Sequence, residues 1–423
     1  MKKDFECTHC LEYTLEFTGG SVLGTPTTTI PPATAVPAPA PAPRAGIPTD
    51  TILKAMLEAS KQVSDLIFSP GRPPQVELSG QLTPVKIEGL PKLTGEDCAR
   101  IAGDLIGRNK IAIEKLRQEG SCDISYSLMG LSRFRVNVFM QRGTCAIVMR
   151  VIPTDIPDFS SYNLPPQLAN ICNLKNGIVL TTGPTGSGKS STLAAIIDKI
   201  NKEKSIHIVT IEDPIEFLHP HKKATIHQRE LHSDTPNFAL ALRAALRQAP
   251  KVILVGEMRD KETIETALEA AETGHLVLST LHTVDASKTV ERIVGVFPLS
   301  EQNTIRSRFA KAFQYIVCQR LLPRKGGGRV AAIEILISTL RTREYLEKGE
   351  HEGKSLVEAM RDGSMDGMQD FDQVIEKMIR DGIIELDVGL AYATNAGNLS
   401  LNLYDMIEAQ MQRGRDEEKL QKE

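Results

Sequence analysis

The sequence predicts an α/β core set between a smaller mixed domain and a run of helices, and three observations predict it. First, short, largely apolar runs recur at 177–180, 206–211, 252–255, 276–279 and 331–336, with helical segments between them. Runs of that kind suit a parallel sheet covered on both faces. Second, the first run leads straight into Gly183-Pro184-Thr185-Gly186-Ser187-Gly188-Lys189-Ser190, a complete G-x-x-x-x-G-K-[ST] phosphate loop. Ser191-Thr192-Leu193-Ala194-Ala195-Ile196-Ile197 after it reads as a helix, so the motif sits at a strand-to-helix turn. Third, two later runs end in carboxylates, at Glu212 and Glu257.

In chain order, residues 1–24 form a small appendage holding one C-x-x-C, Cys7-Thr8-His9-Cys10. A zinc site needs a second pair of ligands, and none follows nearby. Incidental thiols are the default unless a second chain completes the site. Residues 25–46 are rich in Thr, Ala and Pro, including Val36-Pro37-Ala38-Pro39-Ala40-Pro41-Ala42-Pro43, which makes them a semi-rigid linker. An α+β domain is expected over 47–151. It opens with helical spacing at 52–57 and continues with strands at 76–78, 122–126 and 132–139. In the last of these Phe134, Val136 and Val138 share one face, and Arg133 and Arg135 the other. Pro153, Pro157, Pro165 and Pro166 mark the passage to the α/β domain, 160–340. Helical segments at 342–348, 355–361, 371–381 and 387–392 make a C-terminal helical region, 341–405. The charged stretch 406–423 reads as a solvated, frayed end.

Composition bounds the partners. The 423 residues suit two or three domains, and 41% hydrophobic content fills sizeable cores. A formal charge of −3 gives no field to favour nucleic acid or an anionic membrane. With no Trp and 4% aromatic residues, stacking platforms are scarce, and no nucleic-acid partner is expected. No apolar run approaches the roughly 20 residues that span a bilayer. Met1-Lys2-Lys3-Asp4-Phe5-Glu6 lacks the apolar stretch of a secretory signal. Seven scattered cysteines read as reduced thiols, so a cytoplasmic chain is expected.

The phosphate loop carries the first chemistry. Gly183, Gly186 and Gly188, with Pro184, Thr185 and Ser187 between them, turn backbone N–H groups inward. Lys189 reaches the β/γ-phosphates of ATP, Ser190 can ligate Mg²⁺, and Ser191 lies in the first turn of a helix whose dipole favours anions. Lys251-Val252-Ile253-Leu254-Val255-Gly256-Glu257-Met258-Arg259-Asp260 is a buried strand ending in a carboxylate, expected beside the phosphate-loop strand. Glu257 is the candidate to polarise the attacking water; otherwise it caps the next helix, a task Asp260 is also placed to do. Glu212, Asp213 and Glu216 crowd the end of another strand. That density calls for a cation, either Mg²⁺ with its waters or an arginine. Glu212 is the best-placed Mg²⁺-side acid, and Glu216 is alternatively a solvated turn residue. His275 and His282 flank one strand at opposite ends, so they cannot share a metal. His282 is better placed to sense a γ-phosphate, and a packed histidine is the alternative for each. Arg133 and Arg135 suit bidentate phosphate contact, although spacing alone favours a solvated strand face.

Together these blocks resemble the secretion-superfamily ATPases that power type IV pili and type II secretion, above all the twitching-motility, pilus-retraction branch (PilT/PilU-like). The matching stretches are the phosphate loop, 210–217 (the Asp box), 246–260 (the Walker B signature), 273–283 (the His box) and Gly130-Leu131-Ser132-Arg133-Phe134-Arg135-Val136-Asn137, an arginine strand. The resemblance covers roughly 47–404. It implies a RecA-like P-loop ATPase domain, a PAS-like N-terminal domain and C-terminal helices. It also implies a homo-hexameric ring that binds ATP and Mg²⁺ between domains and turns an inner-membrane pilus platform protein. A paralogous retraction ATPase is a further partner, and the location is peripheral at the inner membrane. By the same resemblance Glu257, Glu212, His275 and His282 join Lys189 in catalysis, and Arg133 and Arg135 sense the γ-phosphate. Two departures stand out. Lys251 replaces the usual aspartate of the signature, and 338–349 does not spell the short Ala-Ile-Arg-Asn-Leu-Ile helix of retraction enzymes. The second favours an accessory, PilU-like motor, while 363–372 is again retraction-like. Competing readings are an assembly or type II secretion ATPase and a non-hydrolysing nucleotide-binding adaptor. Cys172 and Cys318 are too far apart for the four-cysteine insert common in assembly enzymes, and the intact Lys189, Ser190 and Glu257 oppose the adaptor.

Overall fold

Two sheets organise the chain. The computed structural model describes residues 46–408, apart from 61, 154, 157 and 352. The Cys7/Cys10 pair, the Pro/Ala-rich stretch and the charged end after 408 lie outside the described residues.

The first sheet is antiparallel throughout. Its strands are β1 (Val63–Phe68), β2 (Gln75–Leu78), β3 (Gln81–Pro84), β4 (Ser121–Leu128), β5 (Ser132–Gln141) and β6 (Thr144–Ile152), in the order β3-β2-β1-β6-β5-β4. The alternation read in β5 holds: Phe134, Val136 and Val138 are fully buried, and Arg135 on the other face is exposed. Leu66 and Phe68 of β1 and Ile147 and Met149 of β6 join them in one core with Ile52, Met56, Cys98 and Ile101 from the helices Thr49–Glu58 and Gly95–Ile106. A reciprocal cap starts the second helix, in which Thr94 and Asp97 each accept the other's backbone N–H.

The second sheet holds β7 (Gly177–Thr182), β8 (His207–Glu212), β9 (Thr225–Glu230), β10 (Val252–Val255), β11 (Leu276–Leu281), β12 (Phe313–Pro323) and β13 (Arg329–Ile337), in the order β13-β12-β7-β11-β10-β8-β9. All neighbours run parallel except β13, which pairs antiparallel with β12. The all-parallel expectation therefore fails at that edge, where Arg324 to Gly328 close a hairpin in place of a crossover helix. Residues of β7, β10 and β11 are buried at every position, because helices cover both faces. The period of two divides them cleanly. Val179, Val252, Leu254, Leu276 and Leu278 pack with Leu193, Ile196 and Ile197 of the helix Lys189–Glu203. Ile178, Leu180, Ile253, Val255 and Val277 pack with Ala267 and Leu268 of the helix Lys261–Glu272 and Ile293 of the helix Ala286–Gly295.

One expectation about order is corrected. β10 is not beside β7; β11 lies between them. The four expected C-terminal helices are present with ends shifted by up to two residues, at Leu340–Lys348, Leu356–Asp362, Phe371–Arg380 and Leu386–Tyr392, and a further one, not expected, lies at Ala396–Asn402. Arg320 of β12 ties them to the sheet. Its guanidinium lies 3.7 Å over the Phe371 ring and donates to the carbonyl oxygens of Tyr392 (2.7 Å) and Val284 (3.5 Å). The five described cysteines, Cys98, Cys122, Cys145, Cys172 and Cys318, are buried free thiols. Among the described residues no helix is long and apolar enough to cross a membrane.

Candidate active site

Because β7, β8, β10 and β11 are parallel, their C-terminal ends share one edge of the sheet. The register aligns Leu281 with Thr182, and Val255 with both Ser279 and Ile211. Four chemically distinct segments leave that edge side by side: the phosphate loop, the Glu212 turn, the Glu257 turn and the His282 turn.

The loop demands its glycines. Gly183 has φ +142°, and a Cβ there would sit 2.4 Å from the Gln319 carbonyl oxygen of β12 and 2.6 Å from Ser187 Oγ. Gly188 takes φ +92° as the residue before the helix Lys189–Glu203 and brings no side chain to cap it. The first N–H groups of that 15-residue helix are thus left to an external acceptor. Lys189 is buried, and its Nζ donates to the Gly183 (2.8 Å) and Pro184 (3.0 Å) carbonyl oxygens. Burial pushes its pKa down, opposed by the nearby Glu257 and Glu216 carboxylates. Ser187 Oγ is buried without a hydrogen-bond partner. A buried ammonium on carbonyls, an uncapped helix start and an orphaned hydroxyl together fit a bound phosphate chain. Ser190 and Ser191 stand half-buried in the first helical turn, and Pro184, Thr185 and Gly186 are exposed at the loop's tip.

His282 stands between the loop and the catalytic-acid candidate. Its Nδ1 lies 3.5 Å from Lys189 Nζ, and its Nε2 lies 3.5 Å from Glu257 Oε2. Lysine can only donate, which leaves Nδ1 as the accepting nitrogen and turns the Nε2 proton toward Glu257. The interposed β11 explains this placement, since its last residue feeds the histidine into the space between the other two strands. Glu257 also pairs with the exposed Arg259 at 2.6 Å, which holds that guanidinium above its ordinary value. Asp260, not Glu257, caps the next helix, accepting the Thr263 N–H at 2.9 Å.

Glu212 is buried. It accepts from Thr210 Oγ1 (2.7 Å), Gln228 Nε2 (3.1 Å) and the Glu216 N–H (3.3 Å), yet burial still pushes its carboxyl up. Its backbone runs against Gly256, where a Cβ would come within 3.4 Å of the Glu212 Cα, so the two acidic turns are adjacent. Asp213 and Glu216 are exposed turn acids. Among the described residues no group of three or more His, Cys, Asp or Glu side chains forms a metal cluster. The Ser190 hydroxyl and the Glu212 carboxylate are oxygen groups of the kind a hard cation such as Mg²⁺ accepts.

Glu230 is a site residue that sequence reasoning missed. It ends β9, in register with Glu212. Its Oε2 accepts the Ile215 N–H at 3.1 Å and pairs with Arg133 Nη2 at 3.0 Å. Arg133 therefore reaches from the first sheet to the acidic turns of the second, with its side chain 20% exposed against 5% for Glu230. The solvated-face alternative fails for Arg133 and describes Arg135, which is exposed across from Arg150 and Ser125. His275 is not brought to the cluster. It precedes β11 at the opposite edge of the sheet, where its Nδ1 lies 3.0 Å from the Ala270 carbonyl oxygen. Any catalytic part for it needs a contact from outside this chain.

The family described as type II/IV secretion system protein matches residues 97–375. The type IV pilus retractation ATPase PilT of Pseudomonas aeruginosa is 41% identical over 326 residues, covering 77% of this chain and 93% of that protein. The type IV pilus ATPase PilU of the same organism is 38% identical over 355 residues, covering 83% and 90%. Among solved structures, the pilus retraction motor PilT with bound ADP matches with a TM-score of 0.72 at 42% identity, covering 83% of this chain and 98% of that one. The Legionella pneumophila ATPase DotB matches with a TM-score of 0.70 at 31% identity, covering 80% and 94%.

Proposed function

The chain belongs to the type II/IV secretion system protein family, and on that premise we propose that it is an ATP-hydrolysing motor of type IV pilus retraction. The observation that carries the reading is the line Lys189–His282–Glu257 at the mouth of a phosphate loop. A cation for the phosphates, a polar sensor and a carboxylate to orient water are the parts phosphoryl transfer requires. In this reading the loop N–H groups and the helix start bind the β- and γ-phosphates of ATP. Lys189 exchanges its carbonyl acceptors for phosphate oxygens. Glu257 orients and polarises the attacking water. His282, touching both, responds to the presence of the γ-phosphate and passes that state to the Glu257 turn. Ser190 and Glu212 would hold Mg²⁺, which when bound neutralises charge on the phosphate oxygens.

Arg133 approaches from a PAS-like domain over 47–151, whereas Arg135 faces solvent. The Arg133–Glu230 pair supports a sensor role for Arg133, because it already ties β5 to the acidic turns of the RecA-like domain, 160–340. Closing and opening of that junction on ATP turnover would supply the stroke. The working assembly in this reading is a homo-hexameric ring at the cytoplasmic face of the inner membrane. It turns a pilus platform protein and is open to a paralogous retraction ATPase as partner.

The test is ATP turnover of the purified protein beside Lys189→Ala and Glu257→Ala. Turnover in the wild type, reduced at least about 100-fold in both variants, supports the motor. ATP binding with no turnover in the wild type would overturn it in favour of the adaptor.

A further inference from the structure

A buried polar chain runs from the end of the phosphate-loop strand to the His282 turn, and the reading above does not use it. Thr182, Cys318 and Glu334 stand side by side across β7, β12 and β13, in register with one another. Their exposures are 0%, 0% and 3%. Glu334 Oε1 accepts the Ala286 N–H at 2.9 Å, the first amide of the helix Ala286–Gly295. The Thr289 hydroxyl, one turn into the same helix, lies 3.5 Å from Thr182 Oγ1 and 2.6 Å from Thr283 Oγ1. The three residues between His282 and Ala286 are thereby fastened at both ends to the floor of the loop.

We propose that Glu334 is a positioning residue of the nucleotide site: by holding the Ala286 amide it fixes the turn 283–285, and with it the placement of His282 between Lys189 and Glu257. A buried carboxyl with a single backbone donor is an expensive way to start a helix that Asp285 already caps, so a plain structural role leaves an ionisable side chain at this place unexplained. The groups that face it are the Ala286 N–H, the Cys318 thiol, the Asp285 carboxylate and the Arg320 guanidinium. Burial pushes the Glu334 carboxyl up to about 7, against the pull of the Ala286 N–H and the Cys318 thiol. Cys318 itself is pushed far above its ordinary value and stays a thiol through the neutral range. Losing the Glu334 proton converts an ordinary hydrogen bond to Ala286 into a charge-assisted one, which tightens the grip on the His282 turn.

This inference rests on the ATPase reading, and its test separates the two. Glu334→Gln keeps the volume and the acceptor for Ala286 but cannot ionise. In the full-length protein its ATP turnover is expected to equal wild type at pH 6 and to fall about tenfold below it at pH 8. KM for ATP should stay within about twofold. The ¹³Cε1 resonance of His282, assigned by its loss in His282→Asn, should coincide between wild type and Glu334→Gln at pH 6 and separate at pH 8. Coincidence at both pH values overturns the proposal whatever turnover shows. Absence of turnover in the wild type strikes the ATPase reading alone, because the resonance still decides this one.

Discussion

Replacing Arg133 with alanine removes the guanidinium facing Glu230 and leaves that largely buried carboxylate without its charged partner. The side chain of Glu230 is 5% exposed, and of its two close donors only the Ile215 N–H remains, at 3.1 Å. Breaking a fully buried pair costs about 3–5 kcal/mol, and losing a hydrogen bond to a charged group about 1.5–3 kcal/mol. Arg133 is 20% exposed and the Ile215 donor survives, so the lower part of that span applies, about 2–3 kcal/mol. The reverse change differs in kind. Glu230→Gln keeps an acceptor for Ile215 and lets the partly exposed guanidinium turn to solvent, for about 1 kcal/mol or less. The double variant should then be milder than the sum by about 1–2 kcal/mol. The assay is urea denaturation of wild type, both singles and the double at matched protein concentration, since an assembling protein has a concentration-dependent midpoint. If Arg133→Ala destabilises no more than Glu230→Gln, or if the two changes simply add, the pair is not the junction described here.

Three further outcomes follow from local geometry. Gly183→Ala drives a Cβ to 2.4 Å from the Gln319 carbonyl oxygen at φ +142°; a loss of about 3 kcal/mol and of fluorescent-ADP binding is expected, and unchanged binding would contradict the loop geometry. Glu334 is raised from 4.5 to about 7, so the folded state holds more protons than the unfolded one between those values. Stability should therefore fall as pH rises through that window, by about 3 kcal/mol in all; Glu334→Gln should flatten the slope, as read from urea midpoints at pH 5 and pH 8. Asp260→Ala removes the acceptor of the Thr263 N–H and hydroxyl, 2.9 and 2.7 Å away, and should lower the thermal midpoint by the equivalent of about 1 kcal/mol.

What could be read without coordinates divides along physical lines. Strands buried on both faces, such as Val252–Val255, announce themselves by continuous apolar residues, and the phosphate loop by its glycines. β9 hid because Thr225-Ile226-His227-Gln228-Arg229-Glu230 is an edge strand with mostly polar side chains. Missing that strand meant missing Glu230, and so the destination of Arg133. β12 hid for a different reason. The helix Leu299–Ala312 runs into it at Phe313 with no Gly or Pro between, so no break in the sequence marks the change of period. The contacts of His282 depend on strand order, which no local pattern encodes. Once β11 is known to separate β7 from β10, its position between Lys189 and Glu257 follows.

Gln319 and Arg320 are consecutive on β12, and their side chains leave on opposite faces. The backbone of the first presses on Gly183. The guanidinium of the second clasps Phe371 and the carbonyl oxygens of Tyr392 and Val284. Considered as a linkage, the two grips are in series on one stiff member. A single peptide unit thus joins the contact on the phosphate loop to the contact on the helix Phe371–Arg380, so a displacement of either would bear on the other through one short covalent link.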